Sequence, residues 1–163
     1  MSAFVKNLTL HNAQGEEILA SEILEWVAKQ TPWRPFNTTA YSWSVNEKTI
    51  CLPLENFSLY LLPDASGFVR IEKDRVPNNC VLLDAHGQER MRLIVPWQLT
   101  TSRKAESALP STSFISTGGP YENPMNNEMG KFGVRAWVEL GGEFYFELDW
   151  RTGEFLWGRE IRF

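Results

Sequence analysis

Two carboxylates two positions apart, Glu147 and Asp149, are the residues of this chain best spaced for chemistry. They lie in the run EFYFELDW, where apolar residues at 144, 146 and 148 alternate with Tyr145, Glu147 and Asp149. Alternation of period two predicts a strand. On one strand face, side chains two residues apart stand about 6 to 7 Å from each other, a separation that a glycosidase acid/base pair can use. Trp137 and Tyr145, expected on the same face, would add a sugar platform. Any strand with two outward acids meets this spacing, however, and Arg135 is expected to neutralise Asp149. Cross-strand pairs of this kind also serve as ordinary sheet stabilisers, worth about 0.2 to 1 kcal/mol each. No catalytic residue is assigned.

Other chemistry finds less support. His11 and His86 both fall in expected turns, with no Cys or second His at ligand spacing, so neither a metal nor another cofactor is expected. STGGP at 116 to 120 has glycines but no following Lys-Ser/Thr and no helix to aim at a phosphate. Cys51 and Cys80 lie in apolar strand patterns and read as buried free thiols rather than nucleophiles or a disulfide.

The elements that position these residues follow from periodicity. EEILASEILEWVAKQ places Leu19, Ile23, Trp26 and Val27 at helical spacing, and Pro32 and Pro35 stop that helix. AYSWSV, TICLPL, NFSLYLL, FVRIE, CVLLDA and ERMRLIVPW read as strands separated by turns such as PDASG and HGQ. Serial hairpins give an antiparallel sheet. The expected fold is α+β, mainly antiparallel sheet with one N-terminal helix packed on it, in a single domain over residues 1–163. A long polar loop spans about 98–132, rich in Ser, Thr, Asn, Gly and Pro.

The C-terminal strands can be threaded. A three-residue loop, Gly141 to Glu143, would pair Leu140 with Phe144, Val138 with Phe146 and Ala136 with Leu148, burying both apolar rows together. On the other face Arg135 would oppose Asp149, Trp137 would oppose Glu147, and Glu139 would oppose Tyr145. A four-residue turn over WRTG would set Leu148 against Phe155 and Phe146 against Trp157. The outer face then mixes aromatic rings with carboxylates, a combination suited to a protein contact.

Charge narrows the partners. The net charge is −4, with the acidic surplus at the two ends and no Lys/Arg cluster, which disfavours nucleic acid. The opening MSAFVKNLTLHNAQ has no basic and apolar leader pattern, and no stretch approaches eighteen apolar residues, so a cytoplasmic, non-membrane protein is expected.

The stretch GVRAWVELGGEFYFELDWRTGEFLWGREIRF, preceded by VLLDAHGQERMRLIVPW, resembles small immunity proteins encoded beside bacterial polymorphic toxins of the Rhs or type VI secretion kind. The resemblance implies a non-enzymatic inhibitor that binds a cognate toxin and obstructs its active site. It carries no map of binding residues. On the residues themselves, Glu139, Glu147 and Asp149 would compete with an anionic substrate for the toxin's cationic groups. Trp137 and Tyr145 would be anchors, and Tyr121, Glu122, Asn126 and Glu128 would reach in from the loop. The runner-up is a carbohydrate- or small-ligand-binding module using the aromatic face. Exposed sheet edges leave a homodimer open.

Overall fold

A computed structural model describes residues 3–100, 112–138 and 142–161. The chain opens with β1 (Lys6–Asn12) and β2 (Glu17–Leu19), a 3-10 turn at Ala20–Glu22 and α1 (Ile23–Ala28). It continues through β3 (Thr38–Val45), β4 (Lys48–Pro53), β5 (Phe57–Leu61), β6 (Gly67–Glu72), β7 (Cys80–Asp84) and β8 (Glu89–Leu93). A 3-10 turn at Trp97–Leu99 precedes β9 (Ser113–Gly118), β10 (Gly133–Val138), β11 (Gly142–Asp149) and β12 (Glu154–Glu160). These strands form three four-stranded antiparallel sheets, ordered β2-β1-β3-β4, β5-β6-β7-β8 and β9-β10-β11-β12. The expected class, α+β and mainly antiparallel sheet with one N-terminal helix, is what the described residues adopt.

The central strands β6 and β7 of the middle sheet are buried on both faces, and their sequence explains why. Cys80 and Leu82 of β7 join Val69 and Ile71 in a core shared with Phe114, Val134, Ala136, Phe144, Phe146 and Leu148 of the C-terminal sheet. Val81 and Leu83 point the opposite way, into a second core with Phe68, Trp43 and Val45, the last two from the N-terminal sheet. A continuous apolar run is the pattern of a strand covered on both sides. Trp43 lies 4.6 Å from Phe68, ring to ring, and its buried indole N–H donates to the Ala85 carbonyl at 2.6 Å. A buried Trp needs such an acceptor.

The helix is shorter than its periodicity suggested. Glu17–Leu19 pairs with β1 instead, and Leu19 is exposed. The six residues of α1 contribute Ile23 and Trp26 to a small cluster with Leu10, Ile18 and Phe36, whereas Leu19 and Val27 are not part of it. Backbone pairing along β1 takes residues whose apolar spacing a helix could also have used. Strand β9 also falls inside the stretch read as loop. Cys51 is exposed on the edge strand β4, contrary to expectation. Cys80 is free and buried, and burial pushes its thiol up to about 12. Among the described residues no helix is long and apolar enough to cross a membrane.

At the end of β6, Glu72 accepts hydrogen bonds from Arg92 of β8 at 2.7 Å and from Arg70 at 3.4 Å. Arg92 holds the Glu72 carboxyl below its usual range. A depressed folded-state value means that the contribution is complete above the unfolded carboxylate pKa, about 4.3, and is lost as pH falls through the folded value. Arg92→Met is therefore expected to lower stability at pH 7, with the gap to wild type closing as pH falls below about 4. Urea midpoints at several pH values measure this, and a gap that widens in acid refutes it.

Candidate functional site

The outer face of the C-terminal sheet is built by strand alternation. In β11, Phe144, Phe146 and Leu148 face the core, while Glu143, Tyr145, Glu147 and Asp149 take the other side. Yet every residue from 144 to 148 is buried. The cause is the connection from β9 to β10, residues 119–132, which folds across that outer face.

Glu147 is the residue that fastens this connection. It is 5% exposed. One carboxylate oxygen accepts from the Tyr145 hydroxyl at 2.5 Å and the other from the Lys131 backbone N–H at 2.7 Å. Burial first, and then its bond to Glu147, raise the Tyr145 phenol well above its ordinary range, so it stays a donor. The Tyr121 ring packs 4.8 Å from that of Tyr145, and Trp157 lies 5.5 Å away on the other flank. Arg159 donates to the Glu122 carbonyl at 2.8 Å, and Leu148 N–H to the Phe132 carbonyl at 3.0 Å. Such close approach depends on glycine: a Cβ on Gly130 would sit 2.2 Å from the Glu147 carboxylate, and one on Gly133 2.4 Å from the Tyr145 ring.

The connection is itself ordered. Glu122 and Met129 form a β-bridge, Gly130 N–H bonds the Tyr121 carbonyl at 2.8 Å, and Asn123 N–H bonds the Glu128 carbonyl at 2.8 Å. At the tip, the Asn123 side chain accepts from Met125 N–H and that of Asn126 from Glu128 N–H, each at 2.9 Å. These local bonds are what Asn contributes in turns. The result is a small hairpin-like segment carrying Met125, 87% exposed, and Met129, 61% exposed. Beside it, a cleft of about 320 Å³ is lined by Glu128, Met129, Asp149, Leu156 and Trp157 among others.

The structure gathers most of the expected site and splits off one member. Tyr121, Glu122, Asn126, Glu128, Tyr145, Glu147 and Asp149 belong to the loop-covered face or the loop on it, although Tyr145 and Glu147 are buried fasteners. Asp149 is half-buried and caps its own turn, accepting from Arg151 N–H at 3.0 Å. Both Glu147 oxygens accept hydrogen bonds beneath Gly130 and Lys131, and Glu147 lines the same cleft as Asp149. Glu139 lies outside the described residues. Trp137 opposes Glu143, and Arg135 opposes Tyr145, because β10 and β11 pair four residues away from the expected register. Arg135 forms its ion pair with Glu143, not with Asp149. Leu148 does meet Phe155, but a bulge after it puts Trp157 opposite Glu147 on the outer face rather than in the core. Met125, Met129 and Leu156 were not anticipated; methionines set in the polar run NPMNNEM were their one signal.

No protein-family model matches the chain, and no curated protein matches it. Among solved structures, the fold is similar to that of one chain in the structure of Tne2 in complex with Tni2, with a TM-score of 0.70. The match covers 97% of this chain and 99% of the other at 13% sequence identity. At that identity the likeness is one of fold.

Proposed function

We propose that this chain is a cytoplasmic immunity protein that binds a cognate secreted toxin, of the Rhs or type VI secretion kind, and occludes its active site in a single folded domain. The observation that carries the reading is the fastened loop with its exposed methionines. Exposed methionines on a loop held by a buried carboxylate form a preorganised apolar contact rimmed by Glu122, Glu128 and Asp149, which suits a protein interface. The fold likeness to a chain solved in a two-protein complex supports the same reading. The saccharide reading lacks its platform, since Tyr145 is fully covered.

The test is capture of the tagged chain from its own cells, then titration with the toxin encoded beside it. Wild type is expected to give a one-to-one complex and to abolish toxicity. Met125→Asp combined with Met129→Asp is expected to weaken binding by about 100-fold, roughly 2.7 kcal/mol. A neighbouring toxin that neither binds nor is neutralised ends the proposal.

A further inference from the structure

Trp137, set apart from the fastened loop, lines a crevice of about 420 Å³ at the junction of the middle and C-terminal sheets. Its floor is apolar, made by Ile71 and Phe114, both 3% exposed. Its rim carries Trp137, 45% exposed, and Ile115, 44% exposed. The charged residues lining it are Lys73, Arg75 and Glu72. Glu72 is already engaged by Arg92 and Arg70, whereas neither Lys73 nor Arg75 has an ion-pair partner among the described residues. In a chain of net charge −4, this is a local cationic spot beside exposed aromatic surface.

The crevice is also preformed. Buried Asn79 donates to the carbonyls of Glu72 and Phe114, at 2.8 and 2.9 Å, and accepts from Phe114 N–H at 2.7 Å. It thereby acts toward β9, the last strand of its sheet, as a neighbouring strand would, and fixes the floor between the two sheets.

We propose that this crevice is a second docking site, which receives a segment of a partner protein presenting an apolar side chain flanked by a carboxylate. The apolar side chain seats on Ile71 and Phe114 against Trp137, and the carboxylate meets Lys73 and Arg75. Complementary charge beside a partly buried Trp is the combination that gives an interface both selectivity and a hot spot. An anionic polymer such as nucleic acid is a poorer fit, since two cations supply little of the phosphate neutralisation on which such binding depends. The inference stands independently of the toxin reading, which concerns the Met125 face.

Selection of a random dodecapeptide display library on the full chain tests it. The expected result is enrichment of peptides with an aliphatic or aromatic residue next to Asp or Glu. A synthetic peptide of that motif should bind wild type and lose at least about 10-fold in affinity to W137A and to K73E/R75E. All of these positions are exposed, so unchanged far-UV circular dichroism and a urea midpoint close to that of wild type establish that the variants fold. No such motif, a motif that binds the variants as well as wild type, or selective binding of a single-stranded oligonucleotide in place of the peptides overturns the proposal. None of these outcomes bears on whether Met125 and Met129 engage a toxin.

Discussion

Glu147→Ala is expected to lower folding stability by about 3 kcal/mol and to free the loop that carries Met125. The substitution leaves two buried donors, the Tyr145 hydroxyl and Lys131 N–H, without an acceptor, at about 1 to 3 kcal/mol each. Loss of the carboxylate also relieves the desolvation of a buried group that has no ion-pair partner among the described residues, which offsets part of that cost. Glu147→Gln separates the two effects. Its oxygen can accept from Lys131 N–H while its amide donates to the Tyr145 oxygen, so both contacts survive without the charge. The glutamine variant is therefore expected to lose less than about 1.5 kcal/mol. Urea unfolding gives the two values, and hydrogen exchange locates the change. In Glu147→Ala the amides of Asn123, Gly130 and Lys131 should exchange faster at urea concentrations where the three sheets remain protected. Partner binding should fall too, although no contact residue has changed, because the ordering of the loop would then be paid at binding. Equal midpoints for wild type and Glu147→Ala, with loop exchange unaltered, would mean that something other than this carboxylate holds the loop.

How far that arrangement could be read from sequence depends on what each pattern constrains. Alternation in Val134, Ala136, Val138 and Phe144, Phe146, Leu148 correctly places both rows in one core, because a strand's face is a property of its own period. It does not fix which residues lie opposite. Pairing Val138 with Phe146, or Ala136 with Phe144, keeps both rows on the same side, so the hydrophobic pattern does not separate registers that differ by an even number of residues, here four. The turn must decide, and Gly141 and Gly142 invite a tight loop at 141–143. Instead Val138 pairs with Gly142, four residues from the partner that a loop at 141–143 would give it. That shift moves Trp137 from Glu147 to Glu143 and dissolves the expected aromatic/carboxylate cluster.

The other departures have equally local causes. A bulge at Leu156 reverses the parity of β12, so Phe155 stays in the core while Trp157 turns to the outer face. Nothing in the residues FLWG marks it. Strand β9 was hidden because a bulge also interrupts its pairing, between the partners of Arg135 and Ala136, and only Phe114 and Ile115 stand out in SFISTG. The covering of the outer face is a tertiary fact: YFEL reads as alternating in sequence and is buried throughout once residues 119–132 lie over it. By contrast, CVLL carries its own message, since four consecutive apolar residues leave no face for solvent.

Asn79, which no sequence pattern singled out, is expected to show the second large effect. Asn79→Ala strands Phe114 N–H and two carbonyl oxygens at the junction of two sheets, a loss of about 3 to 4 kcal/mol. Asn79→Asp keeps the shape and tests the orientation of the amide. A carboxylate there can still accept from Phe114 N–H, but its other oxygen faces the carbonyls of Glu72 and Phe114, which also offer only lone pairs. The protonated acid can donate to one of them. Folding therefore favours the neutral form and raises the folded-state pKa of the introduced acid above its unfolded value, about 3.9. A raised acid pKa means stability that is present below the unfolded value and is lost as pH rises toward the folded one. The Asp variant should thus be far below wild type at pH 7 and close much of the gap by about pH 4, whereas the Ala gap should stay constant. Denaturant unfolding followed by tryptophan fluorescence at both pH values measures this. An Asp gap that does not narrow in acid would show that the side chain does not face two carbonyls, and the rigid floor argued for the Trp137 crevice would go with it.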